Sequence, residues 1–499
     1  MASQSWDRKA ALFSAATWVT LSTSLPARAA TLTVGPGKMY AKPCAAIAAA
    51  SDGDVIEIDA SGSYDGDVCA IAKNRLTLRG VNGRPKIDAA GKNYGGKGTW
   101  VISGSDTTVE NIEFSGAAVP DKNGAGIRHE GSNLTVRGCY FHDNEDGILS
   151  GGGPNTEVIV EFSEFAANGN GDGLSHNMYI GHEGRFTLRY SYSHAAKVGH
   201  LVKSRAAENY ILYNRLTGED GSASYELDLP NAGTSYVIGN LIQQSNSTQN
   251  ATFVTYGVEG ITAENPGQAL FVVNNTFVND RTAGGTFIAV GSAITTPVVI
   301  INNVFFGAGT ITAQTGAMQT TNFSQGDPKL IDRTSYDYRL APGSPCINTG
   351  SDPGLGAGFA LLPVRHYVHP ANAADRVAVG AIDIGAYEFG TSAGDAGSDA
   401  SMGVDGSGAS DGSIAVDASS TADTTGDVTS GDSATSEGCE CRVATLGAAT
   451  GNGGRTSFLL AALLFAVRHR RAPGHLHRAG RLRGRRPTPG VSRATHIRR

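Results

Sequence analysis

VENIEF (109–114), VRGCYF (136–141), VEFSEF (160–165), LRYSYS (188–193), LYNRLT (212–217), IGNLIQ (238–243), VNNTFV (273–278) and INNVFF (301–306) are eight versions of one phrase. Each sets an apolar residue, a small or Asn turn position, and a second apolar residue within six places. Their starts lie 27, 24, 28, 24, 26, 35 and 28 residues apart by subtraction. Between them run further short stretches of alternating apolar residues, broken by Gly, Asn or Asp, which is the signal of strands and tight turns. One such unit cannot bury its own apolar face, so the units must stack and share a core. The expectation is all-β: a right-handed parallel β-helix of one strand-turn coil per repeat. Asn111, Asn214, Asn240, Asn275 and Asn303 are read as one turn position, an Asn ladder linking coil to coil.

Composition agrees. Of 499 residues 17% are charged and 66 are Gly, which suits many strands and turns better than helices. The formal charge of −6 hides an asymmetry: eleven arginines lie between Arg468 and Arg499, and without them the rest of the chain stands at −17. So acidic a body is a poor nucleic-acid partner.

The chain divides into four parts. Residues 1–30 read as a signal peptide: Arg8 and Lys9 precede an apolar run, and Ala27-Arg28-Ala29 is a small-x-small cleavage pattern. Residues 31–390 are the β-helix. Residues 391–437 hold Gly, Ser, Ala, Thr and Asp with no aromatic residue, Lys or Arg, and are expected to form a disordered acidic linker. Residues 438–499 run from GCEC through the short apolar stretch 458–467 into the arginines. That order resembles the C-terminal sorting signals of myxobacterial surface proteins. The resemblance implies attachment to the membrane or outer cell surface through Cys439 or Cys441. Export permits disulfides, and Cys44 with Cys69 is the pair expected; Cys139 is expected as a buried apolar residue. A secreted, tethered monomer is the resulting picture.

The segments DYRLAPGSP (337–345) and DIGAYE (383–388) resemble the closing motifs of the right-handed β-helix repeat superfamily. That resemblance implies a pectate-lyase-like solenoid and says little about activity.

Residues 172–230 are the chemically dense part, with four histidines, several tyrosines and both signs of charge. Strand alternation with Val202 inward sends Leu201, Lys203 and Arg205 outward. Leu227 and Leu229 inward send Glu226 and Asp228 outward, and Met178 and Ile180 inward send Asn177 and Tyr179 outward. An outward patch of cations, tyrosine and histidine suits an acidic polysaccharide. Elimination across a uronate needs a base for the C5 proton, a cation for the carboxylate and a proton donor for the leaving oxygen. Lys203 is read as base, Arg205 as clamp, and Tyr179 or His200 as donor; Lys197, Asn177, His176, Glu226 and Asp228 are read as substrate contacts. HLVKSRAAENYILYNRL (200–216) resembles the K-S-x-x-N coil of β-helical alginate lyases and chondroitinase-B-type lyases, which implies Lys203 as base. Calcium-dependent members carry two acidic residues before that lysine, where this chain has Ala196 and Val198, so no cofactor is expected. The alternatives are a glycoside hydrolase using Glu226, Asp228 or Asp172, a C5-epimerase, and a non-catalytic adhesin. Among the four histidines of residues 172–230 no HxH or HExxH spacing supports zinc.

Overall fold

The computed structural model describes residues 28–390. Residues 1–27 of the signal peptide, the acidic linker, Cys439, Cys441 and the Arg-rich tail lie outside the described residues.

The repeats stack into a parallel β-solenoid of three sheets, with twelve, nine and nine strands. One coil illustrates the path. Leu134–Arg137 lies in the first sheet, Tyr140–His142 in the second and Asp146–Ser150 in the third, before the chain rejoins the first sheet at Glu157–Glu161. Neighbouring strands are parallel and in register, as in Val109↔Val136↔Val160. Inward side chains therefore stack in columns. Ile56, Leu78, Val109, Val136, Val160, Leu188, Ile211, Val237, Val272 and Ile300 form the column of the first sheet, all fully buried. Under the second sheet Phe114, Phe141 and Phe165 stack with centroids 5.0 and 4.8 Å apart. At one end the helix Pro43–Ala49 lays Ala46 and Ile47 on the core, and Cys44 is disulfide-bonded to Cys69. Cys139 is buried and free.

The corner between the first and second sheets needs one residue in the left-handed region. Asn111, Gly138, Phe162, Tyr190, Tyr213, Gly239, Asn274 and Asn302 occupy it, with φ between 50° and 68°. A bulky residue there is strained, and ring stacking between coils offsets the cost: Phe162 on Tyr190 at 5.0 Å, Tyr190 on Tyr213 at 5.8 Å. The residue after the corner makes the ladder. Each backbone N–H donates to the side-chain oxygen one coil on: Cys139 to Ser163, Ser163 to Ser191, Ser191 to Asn214, Asn214 to Asn240, Asn240 to Asn275 and Asn275 to Asn303. Asn111 is not in it. It holds the corner one place earlier, and Ile112 stands where the ladder residue falls. Likewise Ile211, Val237, Val272 and Ile300, not the first letters of the last four quoted phrases, align with Val109.

Residues 330–388 leave the solenoid and return along the second sheet. Tyr338, Tyr367, Ala386 and Tyr387 pack on Tyr192, Leu241 and Val278. Buried Arg376 ties the segment together through Glu388 at 2.8 Å and the carbonyls of Asp383 and Gly385. Asn274 Nδ2 donates to those same two carbonyls, so DIGAYE is stitched to the solenoid.

Candidate functional site

On the third sheet the strands Met178–Ile180, Lys203–Ser204 and Leu227–Leu229 pair so that Tyr179, Lys203 and Asp228 stand in one row. Met178, Ile180, Val202, Leu227 and Leu229 face the core, fully buried. The row therefore points outward. Thr255 continues it on the next coil.

The row is knitted by charge. Lys203 Nζ lies 3.3 Å from Asp228 Oδ2 and 3.7 Å from Glu259 Oε1. Arg205, two residues along, holds the other Glu259 oxygen at 2.8 Å, donates from Nε to the Tyr179 hydroxyl at 3.0 Å, and reaches Asn231 Oδ1. Both cations flank the Tyr179 ring, Lys203 Nζ at 5.4 Å and the Arg205 guanidinium at 5.8 Å from its centroid. Their side chains are 12% and 16% exposed, so this is a partly desolvated site and not a loose surface pair. Only Glu259 is open, at 47%.

Two histidines underlie it. His200 and His176 are buried and stack with centroids 4.4 Å apart. His176 Nδ1 accepts the His200 backbone N–H at 3.0 Å, and His200 Nδ1 accepts that of Tyr225 at 3.3 Å. The His200 proton therefore sits on Nε2, 3.4 Å from Asp228 Oδ2. Burial, then the nearby Lys203 charge, depresses His200 to about 3. Burial and the charges of His200, Lys203 and Arg205 hold His176 well below the ordinary range. Both rings are neutral. The carboxylates are pushed apart. Burial raises Asp228 despite Lys203, whereas Glu259, against its partial burial, is lowered by Arg205 and Lys203.

The structure thus gathers Tyr179, Lys203, Arg205, His200 and Asp228, with His176 beneath them. It departs from the sequence expectation at four residues. Asn177, Leu201 and Glu226 each precede their strand, where the chain is still rounding the corner, and all three turn inward, fully buried. Asn177 bonds to Asn168, Ser193 and His194 as part of the scaffold. Glu226 keeps one side-chain bond, from Gln244 at 3.1 Å, and its Oε1 has none. Lys197 sits in the turn between the second and third sheets, paired with Asp143 at 2.8 Å and not brought into the row. Asp172 is exposed on its own loop and bonds to Asn170 and Leu174. The two asparagines of the lyase-like coil, Asn209 and Asn214, are buried and donate to the backbone, Asn209 to Ala206 O on its own coil and Asn214 to Leu188 O on the coil before.

Sequence reading missed three neighbours. Thr255, which donates to Asp228, was legible by alternation between Val254 and Tyr256. Asn231 and Glu259 sit in irregular stretches outside the strands, where no period places them. Among the described residues no group of three His, Cys, Asp or Glu side chains is placed to hold a metal ion.

No protein-family model matches the chain, and no curated protein matches it. Among solved structures, a pectate lyase is 14% identical over 72% of this chain and 96% of its own, with a TM-score of 0.43. An alanine variant of a pectin methylesterase, in complex with a hexasaccharide, is 12% identical over 63% of this chain and 98% of its own, with a TM-score of 0.25.

Proposed function

We propose that the protein is a secreted, surface-tethered polysaccharide lyase that cleaves a uronate-containing chain by β-elimination at Tyr179, Lys203 and Arg205. One observation carries this reading: the Tyr179 hydroxyl accepts from Arg205 Nε while Lys203 flanks the same ring. A guanidinium only donates, so the phenol's own proton is directed elsewhere, and the adjacent cation stabilises the phenolate left behind.

The free site holds Glu259 where a substrate carboxylate would go. A uronate carboxylate that displaces Glu259 takes its place on Arg205 and so sets the sugar ring beside Lys203. Lys203 acts as the neutral amine, its ammonium proton first lost to solvent; the C5–H bond then breaks toward Lys203 Nζ, its electron pair forms the C4–C5 double bond, the C4–O bond breaks, and the Tyr179 proton goes to the departing oxygen. His200 and His176, neutral and buried, position Asp228 and the floor of the row.

Glycoside hydrolysis is the second reading, favoured by one fact. Asp228 and Glu259 oxygens lie 3.3 and 3.7 Å from the same Lys203 nitrogen, hence no more than 7.0 Å apart, and their pKa values are displaced in opposite directions.

The test is to incubate the purified protein with alginate, hyaluronan, chondroitin and pectate and follow the ultraviolet absorbance of unsaturated uronate. Lys203→Ala is expected to slow its appearance by about 10²–10⁴-fold. New reducing ends without that absorbance would move the assignment to hydrolysis, and binding without turnover would leave a carbohydrate-binding protein.

A further inference from the structure

A cavity lies on the second sheet, away from Lys203. Arg215 rises from the strand Arg215–Thr217 and is 7% exposed. Its guanidinium is sandwiched between the rings of Tyr192 and Tyr336, 4.7 and 4.8 Å from their centroids. With both flat faces covered, it can act only through its N–H edge. Three partners take part of that edge: Thr217 Oγ1 at 3.3 Å, Glu219 Oε1 at 3.1 Å and His369 Nδ1 at 3.4 Å. A guanidinium has five N–H groups, so two are left over.

The returning C-terminal segment supplies the remaining walls. With Arg215, the residues Tyr336, Asp337, Arg339, Tyr367 and His369 line a cavity of about 200 Å³. Tyr367 is buried and forms its floor, and exposed His369 stands at the mouth. Because Arg215 can only donate, His369 Nδ1 is the acceptor and the ring proton lies on Nε2. Burial and then the Arg215 charge hold His369 below its ordinary value, so it is neutral. Among the described residues neither His369 Nε2 nor the Tyr336 hydroxyl has a hydrogen-bond partner. The mouth thus offers aromatic surface, a phenol, an imidazole N–H and the edge of an arginine.

We propose that this cavity binds a single neutral pyranose unit, a chain end or side branch of a polysaccharide. The volume is below the roughly 300–1,000 Å³ typical of pockets for larger ligands, and it suits one ring. The charges argue for a neutral sugar. Arg215 is paired with Glu219 and Arg339 with Asp337, so an added carboxylate would meet two anions already in place. Vicinal hydroxyls match the donors and acceptors at the mouth, and ring C–H faces match the tyrosines. The inference is independent of the chemistry at Lys203.

The test is calorimetric titration of the full protein with the methyl glycosides of galactose, glucose, mannose, rhamnose and xylose, alongside glucuronate and galacturonate. At least one neutral glycoside is expected to bind with millimolar affinity. Tyr336→Ala and His369→Ala are each expected to weaken it about ten-fold. Lys203→Ala is expected to leave it intact. The proposal is overturned if no neutral glycoside binds, if both mouth variants bind as well as wild type, or if binding is confined to the uronates and is lost with Lys203.

Discussion

Replacing Glu226 by Gln is expected to stabilise the protein progressively as pH rises. The Glu226 carboxyl is fully buried, its strand neighbours Leu201 and Phe253 on the adjoining coils are buried too, and it receives one hydrogen bond, from Gln244. Its Oε1 and the Gln244 Oε1 are both without partners. Desolvation raises its pKa well above the ordinary carboxylate value. In the fold it is therefore neutral, while in the unfolded chain it ionises from about pH 4.3 upward. The sign follows: above that pH the folded state binds the extra proton, so this group's contribution to stability falls as pH rises toward the folded pKa. The slope is about 1.4 kcal/mol per pH unit across that window. The amide introduced by Glu226→Gln does not titrate. It would still accept from Gln244. The difference in urea unfolding free energy between Glu226→Gln and wild type should thus be smallest near pH 4 and widen steadily to pH 7. Asp146, raised to about 8 by burial, has the same sign but cancels in the difference. A constant difference, or a variant that loses stability faster than wild type as pH rises, would refute the neutral buried carboxyl.

Three further outcomes are expected. Glu259→Gln should bind oligouronates several-fold more tightly, because the competing anion on Arg205 is gone; an unchanged dissociation constant across salt concentrations would count against displacement. Asn214→Ala removes an acceptor for the buried Ser191 N–H and a donor to Leu188 O, and should cost about 2–5 kcal/mol in urea unfolding. His200 titrates at about 3 in the fold against about 6.5 unfolded, so it contributes stability above pH 6.5 that is lost as pH falls toward 3. His200→Gln should flatten that acid limb, read from thermal midpoints in citrate buffers.

The solenoid is legible in the sequence because its period and its two-residue alternation are both properties of the backbone. Val109, Val136 and Val160 align without coordinates. Tyr179, Lys203 and Asp228 can be placed outward because buried Met178, Ile180, Val202, Leu227 and Leu229 flank them. Alternation fails at Asn177, Leu201 and Glu226. The strands at this site are two or three residues long, and beyond their ends the corner re-aims side chains. Asn111 misleads for a related reason. Asn suits both the left-handed corner and the ladder site beside it, and letters alone do not tell one from the other. Glu259 is beyond reach because its position depends on an aperiodic excursion between Tyr256 and Leu270.

The returning segment has a bearing on the order in which the molecule is made. Coils can stack as each emerges from synthesis, since every strand pairs with its counterpart on the coil just before it. Tyr192, Leu241 and Val278 cannot be covered until residues 338–387 exist, and the Asn274 bonds to Asp383 and Gly385 span 109 and 111 residues. Until residues 338–387 emerge, the growing solenoid carries an uncovered apolar flank, which is an aggregation hazard during biogenesis. A stalled or truncated chain ending before Asp337 should be the species that chaperones hold.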